Sequence, residues 1–100
     1  MTEALQFVHE PGSRDQHSVV VYALSTCGFC RRALEFLRNN DVDFRYVYVD
    51  QLPLEAKASL KQTLHERHQI RELYPTLILN DSQALTGFDR EEWQRVLGLE

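Results

Sequence analysis

An α/β domain is the fold class that the 100-residue chain predicts, with elements in the order β-α-β-α-β-β-α and a four-stranded mixed sheet flanked by helices. Three observations carry this prediction. The β-branched and aromatic run Val19, Val20, Val21, Tyr22 leads through a short turn into apolar residues at helical spacing. A second strand-like run, Phe44 to Val49, follows that helix, and strands joined by a crossover helix pair in parallel. Finally, Asn80-Asp81-Ser82 separates two short apolar runs, as in a β-hairpin.

The first strand has apolar side chains at consecutive positions, so both of its faces are expected to be buried, as in the middle of a parallel sheet. It ends at Ser25-Thr26. Cys30, Ala33, Leu34 and Leu37 then form an apolar stripe with Arg31, Arg32, Glu35 and Arg38 opposite, up to a stop at Asn39-Asn40. Asp41-Val42-Asp43 leads into the second strand, which Asp50 ends. Pro53 marks the start of a helix from Leu54 to about His68, a segment rich in Ala, Leu, Lys and Glu. The pattern fades from Gln69 to Leu73. Thr76 to Leu79 and Ala84 to Thr86 are the hairpin strands, with Gly87 as a breaker. Asp89 is placed to cap a last helix, Arg90 to Leu97, with Trp93, Val96 and Leu97 inward and Gly98 at its end.

A chain of 100 residues is one domain's length. Hydrophobic residues at 43% against charged residues at 26% exclude a disordered tail and a collagen-like repeat. Residues 18–100 are assigned to the domain. Residues 1–17, with a turn signal at Pro11-Gly12-Ser13, are read as an extension that is either mobile or adds one short strand around Leu5 to Val8. A net charge of -4 argues against nucleic acid as a partner, because that binding rests on clustered basic residues. No apolar run is long enough to span a bilayer, and Met1 to Glu10 has neither the basic start nor the apolar stretch of a signal peptide. A soluble, cytoplasmic monomer without a membrane partner is expected.

Cys27 and Cys30 are the only two cysteines. A pair closing so small a ring constrains the unfolded chain little, and a secreted scaffold spreads more cysteines along its length. Chemistry is the better reason for the pair. Cys27 falls where the first strand turns into the first helix, and the unpaired N–H groups and aligned peptide dipoles there favour negative charge. The Cys27 thiol is therefore expected to ionise below its ordinary pKa of about 8.5, and a drop of about two units makes thiolate the majority form at neutral pH. Cys27 is the expected nucleophile. Cys30, one turn on and at the start of the apolar stripe, is the expected resolving thiol.

The same spacing forms half of a zinc site. The other paired candidates, His65 and His68, are not spaced like a zinc finger and read as solvated helix residues, so no metal site is assigned. Pro75 is a second signal. Only X-Pro bonds take the cis form cheaply, and a cis bond before a strand leaves the preceding backbone free to pair with an extended peptide. The alternative is that Pro75 only ends the preceding helical region.

Three landmarks in one order, Val21-Tyr22 through Thr26-Cys27-Gly28-Phe29-Cys30, then Tyr74-Pro75-Thr76, then Thr86-Gly87-Phe88-Asp89, resemble the glutaredoxin branch of the thioredoxin-like superfamily, from Ser18 to about Leu99. The resemblance implies a thioredoxin-like fold and a thiol-disulfide oxidoreductase active in electron transport and cell redox homeostasis. Its substrates are protein or glutathione-mixed disulfides, reduced by a dithiol mechanism. It also implies a cis bond at Pro75, with the Tyr74 backbone facing Cys27 and pairing with the cysteinyl part of glutathione or a substrate segment. Phe88 and Asp89 take the glutathione glutamyl position, and Thr76 and Gly87 belong to the same site. Phe29 reads either as an apolar lip against a docking partner or as a cover for the helix start.

Several positions depart from the family pattern. Gly28-Phe29 stands where Pro-Tyr is usual, Leu24 where a basic residue commonly pairs with the glutathione carboxylate, and Thr86-Gly87 where Gly-Gly is familiar. The stretch from Asp50 to Tyr74 is longer than usual. Thr86-Gly87-Phe88 looks more like the glutaredoxin-like donors that are reduced by thioredoxin reductase, so the electron source stays open between glutathione and that reductase. No permanently bound cofactor is expected. The alternative class is an iron-sulfur cluster or metal carrier, since Cys-Gly-Phe also begins the active site of monothiol glutaredoxins. A [2Fe-2S] cluster needs four ligands, so carriage would require a dimer plus glutathione or a partner's thiols.

Overall fold

The computed structural model describes residues 7–69 and 73–99. Along them run β1 (Val8–Glu10), β2 (Val19–Ala23), α1 (Gly28–Asn39), β3 (Phe44–Tyr48), a 3-10 turn (Val49–Gln51), α2 (Leu54–His68), β4 (Thr76–Leu79), β5 (Gln83–Thr86) and α3 (Arg90–Leu97). The five strands form one sheet in the order β1-β3-β2-β4-β5. β2 runs parallel to β3 and antiparallel to β4, while β1 pairs antiparallel with β3 and β5 with β4. No helix among the described residues is long and apolar enough to cross a membrane.

Alternation along the strands distributes two cores. Val19, Val21 and Ala23 of β2 face α1 and α3, meeting Ala33, Leu34, Leu37, Trp93 and Leu97. Val20 and Tyr22 face the other way, toward Leu60 and Leu64 of α2 and Val47 and Ile78 of the neighbouring strands. The α2 side is the thinner cover: Val20 and Tyr22 stay half-buried, and α2 buries only those two leucines. The expectation that β2 is buried on both faces thus holds fully for one face and partly for the other. β4 is buried at every position, as a strand with neighbours on both edges and helices on both faces must be.

The helix ends follow the residues available. Asp89 accepts from the N–H groups of Glu91 and Glu92 at 3.1 and 3.2 Å and caps α3. Gly98 ends it in the left-handed region at φ 70°. In the β4–β5 turn, Asn80 and Asp81 both take positive φ, which these residue types tolerate best after glycine. Val49, read as the last residue of the second strand, instead opens the 3-10 turn.

Besides the four strands of the domain, the sheet has a fifth, the short strand left open for the first residues, and it meets the stretch around Leu5 to Val8 at Val8. Leu5 itself lies outside the described residues. β1 covers Val8–Glu10 and is tied to β3 and α1 by polar contacts. His9 Nε2 lies 3.0 Å from Asp43 Oδ1, Arg38 reaches Glu10 at 2.7 Å, and Ser13 hydrogen-bonds Asp41. These partners are far apart in sequence, so no local pattern announces them. The loop after β1 crosses the 41–43 backbone closely: a Cβ on Gly12 would sit 2.5 Å from Asp41 O and 2.7 Å from Asp43 N. Backbone there cannot swing aside as a flexible side chain would. Gly12→Ala is therefore expected to lower the urea midpoint of unfolding and to speed hydrogen exchange at the Arg14 and Asp43 amides, which bond across this crossing. An unchanged midpoint would show that the crossing is loose.

Candidate functional site

Parallel pairing of β2 with β3 and antiparallel pairing with β4 bring one end of each strand to the same edge. Register fixes the neighbours, with Tyr22 opposite Thr76 and Thr76 opposite Thr86. The turn after β2, the Tyr74-Pro75 segment before β4 and the Gly87-Phe88-Asp89 segment after β5 therefore meet at one end of the sheet. The three sequence landmarks converge there. Gly87 N–H donates to Pro75 O at 2.8 Å, and Gly87 has φ 76°, a conformation that glycine adopts freely. The Tyr74-Pro75 peptide bond is cis. Thr76 is fully buried, with its hydroxyl on the Leu73 carbonyl.

Cys27 is the N-cap of α1. Its Sγ accepts from the Cys30 N–H at 3.2 Å, the position that a serine or aspartate oxygen commonly fills. Cys27 is half-buried whereas Cys30 is completely buried. The Leu24 N–H points to Cys30 Sγ at 3.4 Å, and the Cys27 N–H bonds back to Leu24 O at 3.3 Å. Burial pushes the Cys30 thiol up to about 12. Its hydrogen bond with Cys27 acts the same way, the Leu24 N–H opposes it, and the electrostatic effects of Cys27 and Asp50 add to the rise.

Aromatic residues border the site. Phe29, in the first turn of α1, is 61% exposed with the Arg32 guanidinium 5.1 Å from its ring centre. Phe88 is half-buried and packs its ring 5.0 Å from Trp93, edge to face, and 5.6 Å from Phe36. Cys27, Tyr74, Phe88 and Leu24 all pack against the core shared by α1 and α3. Leu24 offers no cation on the β2 side. His65 is exposed and His68 half-buried on α2.

One residue of this region escaped the sequence reading beyond its role as a strand terminator. Asp50 accepts from both the backbone N–H and the hydroxyl of Ser25, the first at 2.9 Å. Those bonds, side chain first, hold its carboxyl below the usual carboxylate range. The available signal was topological: Asp50 follows the strand parallel to β2, so it must arrive beside the turn that leaves β2.

A thioredoxin-like sheet with two cysteines at the mouth of its first crossover helix defines a class of thiol oxidoreductase folds. Within that class, the family model described as glutaredoxin matches residues 19–82. The chain belongs to the glutaredoxin family, whose members generally act as thiol-disulfide oxidoreductases. It is similar to a glutaredoxin from Methanosarcina mazei Go1, with 34% identity, 92% of this chain and 87% of that chain covered, and a TM-score of 0.79. Methanoredoxin from Methanosarcina acetivorans is 35% identical over 84% of this chain and 87% of its own, with a TM-score of 0.74. A glutaredoxin from Archaeoglobus fulgidus shares 28% identity over 82% and 87% of the two chains, with a TM-score of 0.71. No curated protein matches the chain.

The raised Cys30 pKa has a measurable consequence for stability. A group whose proton is held more tightly in the folded state contributes stability that is complete below its unfolded pKa and lost as pH rises through the folded value. The reduced protein is expected to lose stability above pH 9.0 and toward pH 12, and Cys30→Ala to lose less over that window. Urea unfolding of both proteins across the range checks this; parallel losses would mean that Cys30 is not held as a thiol.

Proposed function

We propose that the protein is a dithiol oxidoreductase that reduces protein disulfides or glutathione-mixed disulfides. The observation that carries this reading is the inequality of the two sulfurs: Cys27 is partly open at the helix N-terminus, and Cys30 is sealed beneath it. In the first step the Cys27 sulfur, as thiolate, attacks a substrate disulfide; one substrate sulfur leaves with the electron pair and a Cys27–substrate disulfide forms. Cys30 then closes on Cys27 and releases the second substrate sulfur. The Cys30 N–H donates to the Cys27 sulfur and holds it at the N-terminus of α1 during this cycle. Burial keeps Cys30 protonated until its partner is in place.

The substrate lies across the sheet end. Tyr74 offers its backbone to it ahead of the cis Pro75, with Thr76 buried behind them in the sheet, Gly87, Phe88 and Asp89 flank the helix N-terminus, and Phe29 supplies an apolar lip. Electrons return from glutathione or from thioredoxin reductase, with no resident cofactor. The protein works as a monomer in the cytoplasm. The absence of a cation at Leu24 and the Thr86-Gly87-Phe88 sequence favour the reductase arm.

The test is a disulfide-reduction assay supplied in turn with glutathione plus glutathione reductase and with thioredoxin reductase. Turnover is expected with at least one system, and the one that supports it names the electron source. Cys27→Ser is expected to abolish turnover in both. Cys30→Ser is expected to accumulate a mixed disulfide, visible as a mass increase equal to the substrate thiol. Equal activity of the two variants, or no turnover with either system, would overturn the reading.

A further inference from the structure

Asp50 holds the turn that leads into the site. Both of its oxygens are occupied by Ser25, which lies in the turn between β2 and α1. The adjacent residue, Leu24, donates to Cys30 Sγ and accepts from the Cys27 N–H. From the end of β3, Asp50 thus grips the short loop whose backbone touches both sulfur-bearing residues. Its hydrogen bonds from Ser25 keep it a carboxylate at neutral pH, so the grip also places a formal negative charge there.

That charge gains weight after the first exchange. Among the described residues, the titratable groups that act on Cys30 include Cys27 at the cap of its own helix, Tyr48 at the end of β3 and Asp50 just beyond it. Once Cys27 is bonded to a substrate sulfur it has no ionisable thiol and carries no charge. Tyr48 has its pKa raised, chiefly by burial, and stays neutral. Of these groups Asp50 alone then bears a formal charge.

We propose that Asp50 is a positioning residue for the dithiol, holding the Ser25 turn in place and setting the negative charge that Cys30 meets as it closes on a Cys27 mixed disulfide. The proposal rests on the dithiol reading above. In the step concerned, the Cys30 S–H gives its proton to water and Cys30 Sγ attacks Cys27 Sγ. The Cys27–substrate bond breaks, and the departing sulfur takes the electron pair and is protonated by solvent. The two cysteines are oxidised by two electrons and the substrate disulfide is reduced by two. The grip favours this attack by holding the loop; the charge opposes it by penalising the anionic Cys30.

These opposite effects are separable in single-turnover reactions with an uncharged dipyridyl disulfide. Release of the first pyridinethione reports attack by Cys27, and release of the second reports closure by Cys30. Asp50→Asn keeps an acceptor for Ser25 and removes the charge. Its second phase is expected to shift toward lower pH and to run about two- to fivefold faster at neutral pH, the size of an exposed charge interaction. Ser25→Ala, which keeps the charge and loses the hydroxyl bond, is expected to slow the second phase without moving its pH profile. In the unaltered protein, high salt screens the carboxylate and is expected to shift the second phase in the same direction as Asp50→Asn. A second-phase pH profile unchanged in Asp50→Asn overturns the proposal, as does indifference of the unaltered protein to salt should that variant fail to fold. Failure of the dithiol reading looks different: the second phase is then missing from the unaltered protein or persists in Cys30→Ser.

Discussion

The site depends on β2 having a parallel neighbour on one edge and an antiparallel neighbour on the other. Parallel pairing with β3 demands a crossover, which α1 supplies, so α1 must begin at the end of β2 and its N-terminal N–H groups must open at that edge of the sheet. Antiparallel pairing with β4 returns the Tyr74-Pro75 segment to the same edge, and β5 returns Gly87. A one-residue slip in either pairing would turn the buried valines of β2 toward the wrong core. The packing that stabilises the sheet therefore also sets where the cysteines meet the two other segments.

Within that frame, the difference between the sulfurs follows from helix geometry. Cys27 stands at the cap, before the first turn, and its sulfur satisfies a backbone donor that has no partner within the helix. Cys30 lies three positions later and begins the buried stripe with Ala33, Leu34 and Leu37. A buried thiol in low dielectric resists losing its proton, while a cap sulfur sits among donors. No further residue is needed to make the two unequal. Asp50 and the Leu24 N–H act on this inequality with opposite signs.

Periodic patterns made most of this legible in the sequence. The apolar run of β2, the stripe of α1, the Asp89 and Gly98 ends of α3 and the hairpin around Asn80 are all local signals, and each appears within about a residue of its expected place. The three landmarks meet because the topology was legible too. What the sequence left open is held by long-range contacts. Whether the first residues add a strand turns on the pairing of β1 with β3 and on His9 with Asp43 and Glu10 with Arg38, and Gly12 lies at a close backbone crossing, none of which leaves a periodic trace. Asp50 read as a strand terminator because its partner, Ser25, lies on the other side of a helix.

The inequality of the sulfurs is open to direct chemical measurement. Fully reduced protein treated with limiting iodoacetamide at neutral pH, then digested and mapped by mass spectrometry, reports which sulfur reacts. Alkylation confined to Cys27, with Cys30 modified only after denaturation, is the expected result. Equal labelling of the two, or faster labelling of Cys30, would contradict the account.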